Sequence, residues 1–357
     1  PSSFAALPAV ALVVALLLAT AVIDKGWDAF PQGNWDAWSI WNLRAKFLAT
    51  PALAARAWSP LLSNTHPEYP LLLSGAIARC WNAARATPEA IPMAIGYTFF
   101  LSLIAMVTGG LAMLRGAASG LIAGLTLACT TSLILEVPAQ YADVPLAAYL
   151  AGAVIFLLLE RPTWAGVLAG CAAWSKDEGA MFCALFLIFI AIFRRRHLPR
   201  ALIGIAPLGV VYAGFKLFFA PHLSVMFGPG SLARFADAAR WKIVLAGIAT
   251  QMAALGAGWV HPALVLIALA IALRFRSDFR RDALLAGSLA IALLAVYSIA
   301  MVTAPNDAQW QASTAAARLI VQWWPLAVIA IAVWLRPAEQ FAAAPQPRPA
   351  RVKKARR

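Results

Sequence analysis

Charge is scarce in this chain: 12% of its 357 residues are Asp, Glu, Lys or Arg, against 62% hydrophobic, and the mean hydropathy is +0.76. Soluble domains carry about twice that share of charge and only about half apolar residues, which excludes a water-soluble globular fold. Cysteine is nearly absent too. The four present, Cys80, Cys129, Cys171 and Cys183, stand in or beside apolar stretches without a CxxC pair. That excludes a disulfide framework and a cysteine zinc site. Four scattered histidines, His66, His197, His222 and His261, leave no basis for a His/Cys metal cluster. Acidic residues are the scarcer sign, 15 against 29 Lys and Arg, for a formal charge of +14. The excess does not point to nucleic acid. It gathers in the terminal PRPARVKKARR, in RRRHLPR at 194–200 and in RFRSDFRR at 274–281, each abutting a long apolar run as cytoplasmic anchors of membrane helices do.

What is abundant is apolar sequence in runs near the ~20 residues that cross a bilayer. Spans are expected at 4–23, 91–113, 118–136, 143–159, 163–175, 179–193, 201–219, 257–273, 283–302 and 316–335. The fold class is therefore all-α, a polytopic membrane helical bundle of about 10–11 transmembrane helices. A further apolar piece, 69–84, contains Arg79 and is marginal; 243–256 reads as interfacial or as an extension of the helix after it. One domain is expected over 1–336, followed by a basic, disordered cytoplasmic tail at 337–357. Basic residues near span ends put Arg115, Arg161, both internal clusters and the tail on the cytoplasmic side. The segments 24–68, 137–142, 176–178, 220–242 and 303–315 then share the outer side, provided 69–84 dips in without crossing. The long 24–68 loop is rich in Trp (Trp27, Trp35, Trp38, Trp41, Trp58) and is expected to lie along the membrane surface as short helices, with Trp27, Trp38 or Trp58 facing lipid.

Ionisable groups at membrane depth are costly and call for a reason. They cluster in five stretches: Asp36, Asn42, Arg44 and Lys46; His66, Glu68 and Tyr69; Glu136, Tyr141 and Asp143; Lys176, Asp177 and Glu178; Asp307 and Arg318. The expected topology puts all five on one face. Each has a plainer explanation. Asp36, and the pair His66 and Glu68, could serve as helix caps. Asp143 could sit at a span start for the helix dipole, the Lys176 group could pair internally, and Arg318 could snorkel. The basic clusters are topological, and His197, His222 and His261 are ordinary interface residues.

The order of these stretches resembles a known family. WDAW follows the first span, HPEYPLL starts an apolar piece, YADVPLA begins another, WSKDEG ends a short one, and ARLIVQWWPL closes the chain. The layout, over about residues 1–335, is similar to the GT-C superfamily of membrane glycosyltransferases. Within it, the nearest branch holds protein O-mannosyltransferases and the lipid A aminoarabinose transferase. The resemblance implies a hexosyl- or pentosyltransferase of the bacterial inner membrane. It would move a sugar from a polyprenyl-phosphate carrier to a lipid, glycan or protein acceptor of the cell envelope on the outer face. It makes Asp36 the catalytic base. His66, Glu68, Tyr141, Asp143, Lys176, Glu178 and Arg318 become substrate-binding residues, with Lys176 and Arg318 on the donor phosphate and Glu68 and Asp143 on hydroxyls. No metal or other cofactor is implied, although two or more carboxylates could hold a divalent cation. The alternative is a transporter or flippase for a lipid-linked precursor, marked by charges near midplane and paired broken helices. A third is a scaffold subunit with a decayed site.

Overall fold

The computed structural model describes residues 3–221, 228–256, 261–273 and 280–337. His222, most of the 274–281 cluster and the tail from 338 lie outside the described residues. The rest is helical: α1 (Ser3–Ala29), α2 (Asn42–Ala49), α3 (Leu72–Ala84), α4 (Ala90–Arg115), α5 (Ala117–Ala128), α6 (Thr131–Glu136), α7 (Asp143–Leu158), α8 (Pro162–Ser175) and α9 (Asp177–Phe193), then α10 (Leu198–Phe218), α11 (Ser231–Ala236), α12 (Ala238–Ala254), α13 (Pro262–Leu273), α14 (Arg280–Thr303), α15 (Ala308–Thr314) and α16 (Ala316–Trp334). It is an all-α membrane bundle. Among the described residues, five helical stretches are long and apolar enough to cross a bilayer unaided: Ala5–Ala29, Ala90–Arg115, Arg195–Phe218, Arg280–Thr303 and Ala316–Trp334.

The other expected spans are shorter helices, and α7 is enclosed by its neighbours. α7 has 16 residues and nearly all are buried, so it is apolar all round. At 1.5 Å per residue it spans about 24 Å, less than the ~30 Å hydrocarbon core. It therefore stands enclosed by α4, α8, α9 and α16 rather than facing lipid along its length. α8 and α10 approach closely because both contribute glycine: a methyl on Gly166 would fall 2.1 Å from the Ala201 carbonyl oxygen. Small residues permitting backbone approach are the usual device where no hydrophobic force separates helix from lipid.

Four expectations need correction. The span placed at 118–136 is two helices, α5 and α6, broken at Cys129 and Thr130. Thr130 turns extended there, and its hydroxyl accepts from the Trp324 indole at 3.0 Å, holding the break against α16. The segment at 243–256 belongs to α12, a helix of its own packed on α14, α15 and α16. α1 runs on to Ala29, which makes Trp27 helical and packs it on the core. Trp58 is edge-on to Phe215 and Phe219. The exposed indoles of the first loop are thus Trp35 and Trp38, not Trp27 or Trp58.

That loop does form short helices: a π-helical turn (Ala37–Trp41), α2, and 3₁₀ helices Pro51–Trp58 and Pro60–Thr65. It is fastened to the bundle near residue 139. Gly33 has φ +75°, and a side chain there would come within 2.7 Å of the Ala139 carbonyl oxygen. That same oxygen accepts from the Asn34 N–H at 3.2 Å. α3 lies along this loop. The Ser74 hydroxyl donates to the Trp41 carbonyl at 2.9 Å, and Gln32 donates to Glu89 just past the far end of α3 at 2.9 Å. A 13-residue helix is about 20 Å long, shorter than the ~30 Å hydrocarbon core.

Candidate active site

Four distant stretches of chain converge where the first loop meets α7, α9 and α16. Arg318 lies in the first turn of α16. Its Nη1 donates to Asp36 Oδ2 at 2.5 Å and its Nε to Asp143 Oδ2 at 3.0 Å. Lys176, extended between α8 and α9, donates to Asp143 Oδ1 at 2.9 Å and pairs with Glu178 at 2.9 Å. The order of contact is Asp36, Arg318, Asp143, Lys176, Glu178, with signs alternating. Tyr141 completes the group: its ring lies 4.6 Å beneath the guanidinium carbon, in cation–π range. Its hydroxyl accepts from the Asp36 N–H at 3.4 Å. Burial pushes that hydroxyl's pKa up to about 12.

The two aspartates differ in access. Asp143 has 0% side-chain exposure, and its carboxylate is shared by Lys176, Arg318 and Gln322. Gln322 is one turn beyond Arg318 on the same face of α16, and the buried Tyr297 hydroxyl donates to it at 2.7 Å. Asp36 has 19% side-chain exposure, and Arg318 has 20%. Asp36 stands at the start of the π-helical turn without capping it through its side chain, so the capping explanation fails there. The snorkelling explanation fails for Arg318, whose guanidinium faces two carboxylates. Asp307 is the opposite case. It caps α15 by accepting from the Trp310 N–H at 2.9 Å and is no part of the cluster.

His66 and Glu68 form a neighbouring group. His66 Nδ1 is 2.9 Å from Glu68 Oε1, and the imidazole stacks on Tyr69 with centroids 4.5 Å apart. The Glu68 carbonyl accepts from Lys216 Nζ at 2.8 Å, and Lys216 pairs with Asp177 at 2.7 Å. The two groups meet at the 176–178 turn. Burial works to raise the Glu68 pKa, but the His66 hydrogen bond and charge and the nearby Arg44 outweigh it and hold the carboxyl below its usual value. Burial pushes Arg44 down to about 10.

Gln322, Tyr297 and Lys216 were not singled out by sequence, and Glu136 and Arg44 were noted as costly charges without being given a role. Glu136 ends α6 within electrostatic reach of Asp143, Arg318, Lys176 and Asp36. Gln322 and Lys216 had a usable signal, a polar residue inside an otherwise apolar run. Tyr297 had none. Among the described residues no group of three or more His, Cys, Asp or Glu is arranged to hold a metal ion; the carboxylates at the centre face Arg318 and Lys176 instead.

Neither a protein-family model nor a curated protein sequence matches the chain. A solved structure does: the crystal structure of ArnT from Cupriavidus metallidurans in the apo state, the lipid A aminoarabinose transferase. The TM-score is 0.50 at 15% identity, over 89% of this chain and 58% of that one. The chain thus spans little more than half the length of the protein it matches. The likeness is one of fold.

Proposed function

We propose that the protein is an integral membrane glycosyltransferase of the GT-C type, moving a sugar from a polyprenyl-phosphate carrier to a cell-envelope acceptor on the outer face of a bacterial inner membrane. The observation that carries this reading is the alternating cluster, in which two cations share one fully buried aspartate while a second aspartate stays reachable. Buried ion pairs contribute little net stability, so an assembly of five charges is poorly explained as a structural device. The fold shared with ArnT supports the same reading.

The residues divide the work as follows. Asp143 positions Lys176 and Arg318, since its oxygens are already engaged; this replaces the expected role on substrate hydroxyls. The donor phosphate takes Arg318 through its fork and Lys176 as a point charge. Arg318 then releases Asp36. The acceptor hydroxyl oxygen bonds to the anomeric carbon as the carbon–oxygen bond to phosphate breaks. The electron pair leaves with the polyprenyl phosphate, and Asp36 receives the hydroxyl proton. Fixed cations in a poorly hydrated site stabilise the departing phosphate. His66, Glu68, Tyr141 and Glu178 shape the surrounding wall.

The test is mass spectrometry of envelope lipids and glycans from cells with and without the gene. The expected result is loss of one sugar from an acceptor with accumulation of a polyprenyl-phosphate sugar, restored by the wild-type gene and not by Asp36→Asn. Unchanged envelope glycans and carrier lipids would overturn the proposal.

A further inference from the structure

The pair formed by His66 and Glu68 is built more tightly than a wall of the site requires. His66 Nδ1 is 2.9 Å from Glu68 Oε1. A carboxylate only accepts, so Nδ1 carries the proton of this contact, and Nε2 is left to gain or release one. Glu68 is enclosed, with 8% side-chain exposure, whereas the imidazole keeps 36%. Burial works to raise the Glu68 pKa, but the His66 contact and Arg44 keep it a carboxylate. An ionised carboxylate behind a reachable imidazole fixes the ring and favours its protonated form.

The backbone is committed as well. His66 stands at φ 52°, ψ 57°, closing the 3₁₀ helix Pro60–Thr65 in a left-handed conformation that glycine or asparagine usually takes. It also precedes Pro67, which steers the residue before it toward extended backbone. Contacts on either side hold this conformation. The Arg44 guanidinium, buried at 1% exposure, donates to the Thr65 carbonyl at 2.8 Å, and Lys216 Nζ donates to the Glu68 carbonyl at 2.8 Å. The ring itself stacks on Tyr69, which stacks in turn on Trp41 with centroids 5.8 Å apart. A strained residue fixed from this many directions, with its side chain still open, is characteristic of a group that meets a ligand.

Two connections set the pair beside the chemistry. Trp41 ends the π-helical turn at whose start Asp36 stands. Lys216 joins the Glu68 carbonyl to Asp177, the residue after Lys176. The charged and titratable groups facing the pair are Arg44 on α2, Asp177 on α9 and Lys216 on α10, with Tyr69 on its own segment. From this placement we propose that His66, oriented by Glu68, is the general acid that protonates the departing polyprenyl phosphate. The proposal rests on the transferase reading and adds a proton donor to it. As the bond from the anomeric carbon to the phosphate oxygen breaks, its electron pair goes to that oxygen. The His66 Nε2 proton passes to the phosphate, which leaves as a monoanion instead of a dianion. The neutral ring regains a proton from water, and Asp36 returns to water the proton it took from the acceptor hydroxyl. Free imidazole and a phosphate monoester ionise near 6.5 and 6, the close match that proton transfer between them favours.

The experiment has two arms on the full chain in lipid nanodiscs. In the first, ¹⁵N-histidine and ³¹P NMR follow a pH titration with undecaprenyl phosphate, the leaving group itself, as probe. Adding the probe should raise the pKa of His66 by about 1, as expected for an anion in contact with the ring. The ³¹P titration should differ between wild type and His66→Asn, a variant that keeps an N–H donor for Glu68. In the second arm the donor is the polyprenyl-phosphate sugar that accumulates in cells lacking the gene. Wild-type kcat should fall at alkaline pH as the acid loses its proton. His66→Asn should lower kcat about 10²–10⁴-fold, leave the donor KM within a few-fold and abolish the alkaline fall; Glu68→Gln should move that fall to lower pH. A bound probe that leaves the His66 titration unmoved, or a His66→Asn enzyme that keeps near-wild-type kcat or the alkaline fall, would overturn the general acid while the transferase reading stands. A wild type that neither binds undecaprenyl phosphate nor transfers sugar would sink that reading and the acid with it.

Discussion

Asp36 and Asp143 are chemically identical side chains on one arginine, and their surroundings separate their roles. Asp143 is enclosed and shared by two cations, whereas Asp36 faces the opening and has Arg318 as its cationic partner. Asp36→Asn keeps the shape and removes proton acceptance. Transfer should fall about 10²–10⁴-fold while the protein reaches the membrane and binds donor; turnover within a few-fold of wild type, measured with purified enzyme, would reduce Asp36 to a structural partner of Arg318. Arg318→Ala should weaken donor binding along with turnover, and Arg318→Lys should recover only part because the fork is lost. Donor affinity unchanged in a lipid-phosphate binding assay would remove α16 from the donor site. Glu68 gives a pH signature. Its folded pKa lies below the ordinary 4.5, so the folded state holds its proton less tightly than the unfolded chain. Its stabilising contribution is therefore complete above about pH 4.5 and fades as pH falls through the lowered folded value. In detergent, wild type should lose more thermal stability than Glu68→Gln between pH 7 and pH 4; equal losses would show that the His66 contact contributes nothing. Asp36, Asp143, Lys176 and Arg318 stood out in the sequence because a charge among apolar residues is costly wherever it lands. Tyr297 did not, since a tyrosine in an apolar span becomes informative only once its partner is known; Gln322 stood in an apolar run but carried no charge to mark it.

At the scale of elements, the site depends on how the first loop is fixed to the segment before α7. Gly33 allows that contact through its positive φ and its lack of a side chain. Gly33→Ala should displace the loop, and with it Asp36, without disturbing the spans. Misplacing a catalytic group by about 1 Å can cost on the order of 10²-fold in rate. The variant should therefore insert normally, retain Arg318-dependent donor binding and lose most transfer; full activity would show that the loop is held elsewhere. The helices themselves were legible from apolar runs, because backbone satisfaction in lipid leaves few alternatives. The break between α5 and α6 was not. Residues 118–136 are interrupted only by small hydroxyl residues before Glu136, and the turn at Thr130 is stabilised by Trp324, nearly two hundred residues away. Long-range contacts of this kind leave no local periodicity.

For the whole molecule, the positive-inside pattern and the bundle agree on which ends belong together. α9 carries Asp177 and Glu178 at its start and Arg194 just past its end, where Arg194 pairs with Glu160 and Asp282. The charged cluster and the basic anchor thus sit at opposite ends of a helix about 25 Å long. Orientation can be read with single cysteines in a chain whose four native cysteines are replaced. Ser63, exposed on the first loop, should react with a membrane-impermeant maleimide in intact spheroplasts. Arg196, with 77% side-chain exposure beside the basic anchor, should react only after permeabilisation. The deciding position is Ala86, exposed between α3 and α4. If α3 returns to its own face, Ala86→Cys labels with Ser63→Cys. Labelling of Ala86→Cys only after permeabilisation would make α3 a crossing helix and invert every segment after it. The Asp36–Arg318 contact would then join residues assigned to opposite faces of the membrane, and the proposed site could not assemble.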